Sequence, residues 1–178
     1  MRRALILLGV LLAGCADPDT PPATESEGSG LEREIKGFRL SETQEGHPVW
    51  ELRASTAWRV PRDTQLHLND VEVVFFDREG GQDSRLTARR GVVEESTGLM
   101  TAKDDVRLVS VRGDTLTTQE LSYLKDQDLI RGPGWIRLAK PDRVLTGSEF
   151  EAKPDLTTYE IRRDVHITLV GDRRADAP

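Results

Sequence analysis

The chain has 178 residues, with 25 Lys and Arg against 31 Asp and Glu, a net charge of −6 and 37% hydrophobic residues. That length suits one domain with a real core and argues against a multidomain machine, while an acidic balance with no long Lys or Arg run argues against nucleic acid, whose phosphates need clustered cations. One Cys and three scattered His leave no disulfide framework and no structural zinc site, so no metal and no cofactor is expected.

Met1-Arg2-Arg3 is followed by an apolar run from Ala4 to Leu12 and then by Ala13-Gly14-Cys15. A positive start, a short apolar region and a small-residue cleavage site are the marks of a secretion signal. The run is too short for a helix that crosses a bilayer, which takes about 20 residues. Residues 1–14 are therefore expected to be removed. Leu12-Ala13-Gly14-Cys15 resembles a bacterial lipobox, which implies a diacylglyceryl group on the Cys15 thiol, cleavage before Cys15 and acylation of the new amine. The plainer alternative is a secreted protein with one unpaired thiol, but lipidation accounts for an odd Cys outside the cytosol. Each buried methylene contributes about 0.8 kcal/mol, so acyl chains on one residue hold a domain at a membrane surface. Residues 15–34 read as a flexible tether: from Ala16 to Gly30 there are three Pro, two Gly, four acids and nothing apolar larger than Ala.

The folded domain is expected over 35–170, with 171–178 as a polar tail. Apolar residues recur at every second position in Trp50-Glu-Leu52-Arg-Ala54, Val71-Glu-Val73-Val-Phe75, Val106-Arg-Leu108, Ile136-Arg-Leu138 and Val165-His-Ile167-Thr-Leu169. Period two predicts half-buried strands. Turns are predicted at Glu45-Gly46-His47-Pro48, Asp77 to Gly81, Arg112-Gly113-Asp114, Arg131-Gly132-Pro133-Gly134 and Lys140-Pro141-Asp142. No segment after the signal keeps a 3.6-residue period, so helices should be few.

The runs also repeat. Leu86-Thr-Ala88, Leu116-Thr-Thr118 and Leu145-Thr-Gly147 follow one another at 30 and 29 residues, and each leads by 20 positions to a strand residue, Val106, Ile136 or Val165. Leu52-Arg-Ala54 with Val71 is a weaker fourth copy. A 30-residue unit of short strands cannot cover its own apolar face, so the units must stack. The expected fold is all-β, a folded-over stack of antiparallel strands forming either a jelly roll or a two-sheet sandwich.

The ordered string Phe38…Gly46-His47-Pro48-Val49-Trp50-Glu-Leu52-Arg-Ala54, Leu68-Asn-Asp70-Val71…Phe75-Phe76-Asp77…Gly80, Leu86-Thr-Ala88-Arg-Arg-Gly91, Asp105-Val106, Gly113-Asp114-Thr115-Leu116-Thr-Thr118, Leu121-Ser-Tyr123 and Leu145-Thr-Gly147 resembles the LptC family. The likeness covers nearly all of Ile35 to Leu169. It implies a twisted β jelly roll whose apolar interior carries the acyl chains of lipopolysaccharide away from an inner-membrane ABC transporter. It also implies edge-to-edge strand pairing with that transporter on one side and with an LptA-like periplasmic bridge protein on the other. Many family members have an uncleaved transmembrane helix where this chain has a lipobox. The expected location is the periplasmic face of the inner membrane, with the outer membrane as the alternative.

No catalytic constellation is present: there is no Gly-x-Ser-x-Gly elbow, His-Glu-x-x-His, phosphate-cradling Gly-x-x-x-x-Gly-Lys or Cys-x-x-Cys. His47, His67 and His166 read as solvated side chains, and Glu94-Glu95 and Asp104-Asp105 as turn carboxylates. No catalytic residue is expected and the chain is not read as an enzyme.

Candidate acyl-chain ligands are the inward members of the alternating runs: Leu40, Trp50, Leu52, Val73, Phe75, Leu86, Leu108, Leu116, Ile136, Leu138, Phe150 and Ile167. Ordinary core packing accounts for the same residue types. The strand Asp164, Val165, His166, Ile167, Thr168, Leu169 closes the repeat pattern and is the expected partner edge; Gly37 to Thr43 would be the opposite one. The rival reading is an assembly lipoprotein that binds proteins through its strand edges and has a closed, lipid-free core.

Overall fold

A computed structural model of the chain describes residues 33–60 and 62–170. The signal segment, Cys15, the tether up to residue 32 and the tail 171–178 lie outside the described residues. Nine strands follow one another: β1 (Arg33–Gln44), β2 (His47–Arg59), β3 (Gln65–Phe76), β4 (Gln82–Glu94), β5 (Met100–Ser110), β6 (Thr115–Leu124), β7 (Leu129–Ala139), β8 (Arg143–Ala152) and β9 (Tyr159–Leu169). A three-residue 3-10 turn, Lys125–Gln127, is the one helical element among the described residues. The strands form one antiparallel sheet whose spatial order is the chain order, β1 through β9. The fold is thus all-β and consistent with a jelly roll, built from one sheet rather than the two of a sandwich. Each 30-residue repeat is a hairpin: Leu52 and Val71 lie on β2 and β3, Leu86 and Val106 on β4 and β5, Leu116 and Ile136 on β6 and β7, and Leu145 and Val165 on β8 and β9.

A flat sheet of nine strands would leave its apolar face wet. This one folds over along a crease near mid-strand. The register shifts between Thr87 and Arg90, Lys103 and Val106, Thr118 and Ser122, Gly132 and Trp135, and Thr146 and Ser148 lie across successive strands. Bulges bend the strand that carries them and sharpen its twist. Several crease residues have positive φ, among them Asp70, Asp104, Asp105, Glu149 and Asp164. Short acidic side chains tolerate that region better than branched ones. Their charges are held on the outside: Asp104 by Arg90, Asp105 by Arg89 at 2.6 Å and Glu149 by Arg163 at 3.0 Å. The folding-over brings the Phe75 ring of β3 to 5.1 Å from the Tyr123 ring of β6, although β4 and β5 lie between them in the sheet.

Three local expectations are corrected. Asp104 and Asp105 lie inside β5, at its bulge, not in a turn. Arg131 to Gly134 lies inside β7: a Cβ at Gly132 would come within 2.5 Å of the Phe150 ring, so the glycine marks a close approach of strands, and Pro133 sits in the bulge where no ladder donor is needed. His67 is the third residue of β3, half-buried, bonded to Asp63 at 2.9 Å and stacked on Trp58 at 5.6 Å, rather than a free solvated ring. Its bond is the first cause that holds the Asp63 carboxyl below the usual range. β1 starts at Arg33, with Arg33 and Glu34 paired opposite Arg59 and Trp58.

Candidate functional site

The strand register aligns one aliphatic residue per strand across the whole sheet. Leu40 faces Leu52, Leu52 faces Val73, Val73 faces Leu86, and the series continues through Leu108, Leu116, Leu138 and Leu145 to Ile167. At about 4.8 Å between strands, the row runs on the order of 40 Å from edge to edge. Its middle is core: Leu108, Leu116 and Leu138 are fully buried, each contributing roughly 1.5–3 kcal/mol by leaving water. Its ends are not, with Leu40 at 38% and Ile167 at 59% exposure.

Eight of the twelve residues singled out from the sequence belong to this row. Of the other four, Trp50 and Phe75 face each other in the neighbouring row, Ile136 lies at the crease opposite Gly147 and Phe150 packs beyond the crease over Gly132. All four are buried. Leu40 and Ile167 share the face of the row and stand exposed at its two ends, because only one neighbour strand flanks each. The sequence reading missed Leu145, although it heads a repeat copy, and the opposing wall made by Leu68, Val93, Met100, Leu121, Tyr123 and Ile130. Those residues lie past the crease, where the alternation slips phase.

Between the two walls the middle of the interior is filled. The space enclosed by Leu52, Val73, Phe75, Leu86, Met100 and Leu121 is about 20 Å³, room for about one water and far too little for an acyl chain. At the β1 end the interior widens into a groove of about 670 Å³, lined by Ile35, Phe38, Leu40, Trp50, Leu66 and Met100. Charged groups ring its mouth. Glu42 accepts from the Trp50 indole at 3.0 Å and from Lys125 at 2.7 Å, and Arg59 pairs with Glu95. Burial pushes the Tyr123 hydroxyl above its ordinary range, and the carboxylates of Asp128 and Glu42 add to that shift.

At the opposite end, Val165, Ile167 and Leu169 are exposed, and β9 has no neighbour on its outer side among the described strands. Asp164, at φ +51, breaks the run between half-buried Ile161 and these bare residues. The arrangement can hold hydrocarbon by burial and can extend its sheet by strand addition. Among the described residues no group of three or more His, Cys, Asp or Glu could hold a metal ion, and no helix is long and apolar enough to cross a membrane.

No curated protein matches the chain. A family model described as lipopolysaccharide-assembly, LptC-related, matches residues 4–170, which takes in all nine strands. With that match running the length of the folded sheet, the chain belongs to the LptC family of lipopolysaccharide assembly.

Proposed function

We propose that this protein accepts lipopolysaccharide from the inner-membrane ABC transporter and passes it to an LptA-like bridge protein, acting as a periplasmic carrier held to the membrane through Cys15. Family membership makes it a lipopolysaccharide transport component. The observation that carries the finer reading is the aliphatic row, unbroken by any polar residue and open at both ends. Hydrocarbon gains about 25 cal/mol per Å² on leaving water and needs no directional bond. An acyl chain that parts the two walls can therefore move from one leucine to the next, exchanging one apolar contact for another. Leu40, Trp50 and Leu52 would receive the chain at the β1 groove, the row from Val73 to Leu138 would conduct it with Phe75, Ile136 and Phe150 alongside, and Ile167 would deliver it. The edge Asp164 to Leu169 would meet the bridge protein, and Gly37 to Thr43 the transporter. Residues 1–14 would be the signal, 15–34 the tether, 35–170 the carrier domain and 171–178 the tail.

Photo-reactive residues at Leu40, Leu116 and Ile167 should crosslink lipopolysaccharide, and one at the outward Arg107 should not. Capture of the bridge protein should weaken with Thr168→Pro, which removes a ladder donor, and fail with deletion of 164–178. Equal labelling at Arg107 and Leu116 would refute the carrier reading.

The rival, an assembly lipoprotein without lipid cargo, draws support from the filled middle of the interior, about 20 Å³. Saturable binding of the bridge protein with no lipid crosslinking at any of the three positions would favour it.

A further inference from the structure

Behind the aliphatic row, on the outer face of the sheet, runs a second row with the opposite chemistry. Its members are the chain neighbours of the inner row, and because side chains alternate on a strand they point away from the interior. Arg39 faces Arg53, Arg53 faces Glu72, Glu72 faces Thr87, and the series continues through Arg107, Thr117, Arg137 and Thr146 to His166. Thr87, Thr117 and Thr146 are the threonines of the Leu-Thr repeat, so each copy supplies one inner leucine and one outer threonine. The strand after each copy supplies Arg107, Arg137 or His166.

The row thus holds four Arg, three Thr, one His and a single acid, in a chain with 31 Asp and Glu and a net charge of −6. That acid, Glu72, is already paired with Arg85 at 2.9 Å. From β4 to β9 the row has no carboxylate, and neither has the next outer row, Val109, Thr115, Ala139, Val144 and Thr168. Acids at the margins are engaged elsewhere: Asp105 with Arg89 at 2.6 Å, Glu149 with Arg163 at 3.0 Å and Asp142 with Arg143 at 2.7 Å, while Asp164 accepts from the Ser148 hydroxyl at 3.3 Å. Arg107 and Arg137 are exposed, and neither forms an ion pair among the described residues. Two residues before Arg137 on the same face of β7, Trp135 is 56% exposed. The other indoles are covered, Trp50 by the core and Trp58 by the His67 ring.

We propose that the outer face of β5 to β9, centred on Trp135 and Arg137, docks on the anionic phospholipid headgroups of the membrane. Protein interfaces gather apolar groups at their centre and keep charge out of it, whereas this face has unpaired cations at its centre and one ring beside them. Guanidinium groups meet lipid phosphates by charge and paired hydrogen bonds, and an indole fits the headgroup level with its apolar body and polar N–H. Arg107 and Arg137, two strands apart at about 4.8 Å per strand, can hold separate phosphates. A sheet twists by roughly 20° per strand. Arg107 and His166, each two strands from Arg137, still turn toward the plane that Arg137 meets, and Arg39 and Arg53 turn away from it. The inference stands on the outer face alone and does not depend on what fills the interior, since a chain held between the walls does not reach this row.

The test mixes the full chain with vesicles whose lipids carry bromine near the headgroup, so that quenching of tryptophan emission reports docking. The wild type should be quenched by phosphatidylglycerol vesicles and not by phosphatidylcholine vesicles. Trp135→Phe should abolish the quenching. Arg107→Gln with Arg137→Gln should lower the docking constant about 25-fold, each cation near an anionic surface being worth about fivefold. Arg78→Gln makes the same change of charge at an exposed arginine of the β3–β4 turn and should shift the constant by less than about twofold. All four side chains are exposed, so circular dichroism should stay that of the wild type. Quenching that survives Trp135→Phe, equal effects of the double substitution and Arg78→Gln, or equal quenching by both lipids overturns the proposal. Quenching by neither vesicle overturns it as well, and capture of polyglutamate in that case assigns the face to an acidic protein.

Discussion

The two ends of the folded sheet carry the same alternation of apolar residues and present it differently. At the β1 end, Leu40 looks across a groove of about 670 Å³ at Leu66 and Met100, and the mouth is ringed by the Glu42–Lys125 and Arg59–Glu95 pairs. At the β9 end, Ile167 and Leu169 are 59% and 75% exposed and look at no opposing wall. The difference lies in where the chain goes after β8. Lys153 to Thr158 turns back toward the Asp114–Lys140 pair, held by Arg112 and Lys140 with Leu156 buried, and does not face the exposed second half of β9. An alternating strand becomes a cavity wall when a second wall opposes it, and a bare shelf when none does. The first geometry suits capture of a chain, and the second suits a surface that another β protein completes.

The comparison breaks most severely in its middle. Leu116→Asp places a charge at a fully buried point that both ends share, and it should cost several kcal/mol and unfold the domain. Ile167→Asp makes the same chemical change on the shelf, should shift stability by no more than about 0.5 kcal/mol, and should reduce lipid crosslinking there. Urea titration followed by circular dichroism separates the two; similar midpoints would mean that the row is not one structure.

At the β1 end alone, Trp50→Ala should cost about 3–5 kcal/mol, because a buried indole leaves a cavity beside a groove that already exists. At the β9 end, Lys140→Met strands the Asp114 carboxylate at 4% exposure, with only Arg112, 3.7 Å away, left as a cation. It should cost about 3 kcal/mol, and Asp114→Leu in the same chain should recover most of that. Hydrogen exchange should locate the loss in 153–158. Protection lost instead around Glu42 would show that the two ends are coupled.

The smallest effects are electrostatic. Glu42→Gln removes the partner of a half-exposed lysine and should cost less than about 1 kcal/mol, while speeding lipid loading at the groove. The Asp63 carboxyl is held below its usual range by His67 and by the Gln65 amide. Its folded state therefore favours the charged form, so its contribution is present above the ordinary carboxylate range and is lost as pH falls through the lowered value. Asp63→Asn should flatten the acid limb of the stability curve by removing this contribution at pH 7, with little change below the lowered value, where the wild-type carboxyl is already neutral.

Much of this was legible along the chain. Val71, Val73 and Phe75, or Val106 and Leu108, point one way because side chains alternate on a strand, and the Leu86, Leu116 and Leu145 copies mark successive hairpins because each unit must cover the face of the last. The candidate row was also largely legible, since alternation names the inward residues of each strand before their partners are known. Past the crease the phase slips. Asp104-Asp105 and Gly132-Pro133-Gly134 have turn composition, yet they bend strands instead of ending them, because their backbone groups still find ladder partners on either side.

Period and repeat by themselves determined that the domain is all-β, that it is assembled from hairpins and that leucine-rich positions form its inner face. Those properties depend on neighbours near in sequence and on the two-residue repeat of an extended chain. Only the tertiary structure decided that the hairpins join one sheet folded at a crease, and that Leu40 and Ile167 stand open while Leu116 is sealed. Burial is set by what lies opposite in space, and for this chain that was decided by where each strand bends and where the segment after β8 comes to rest.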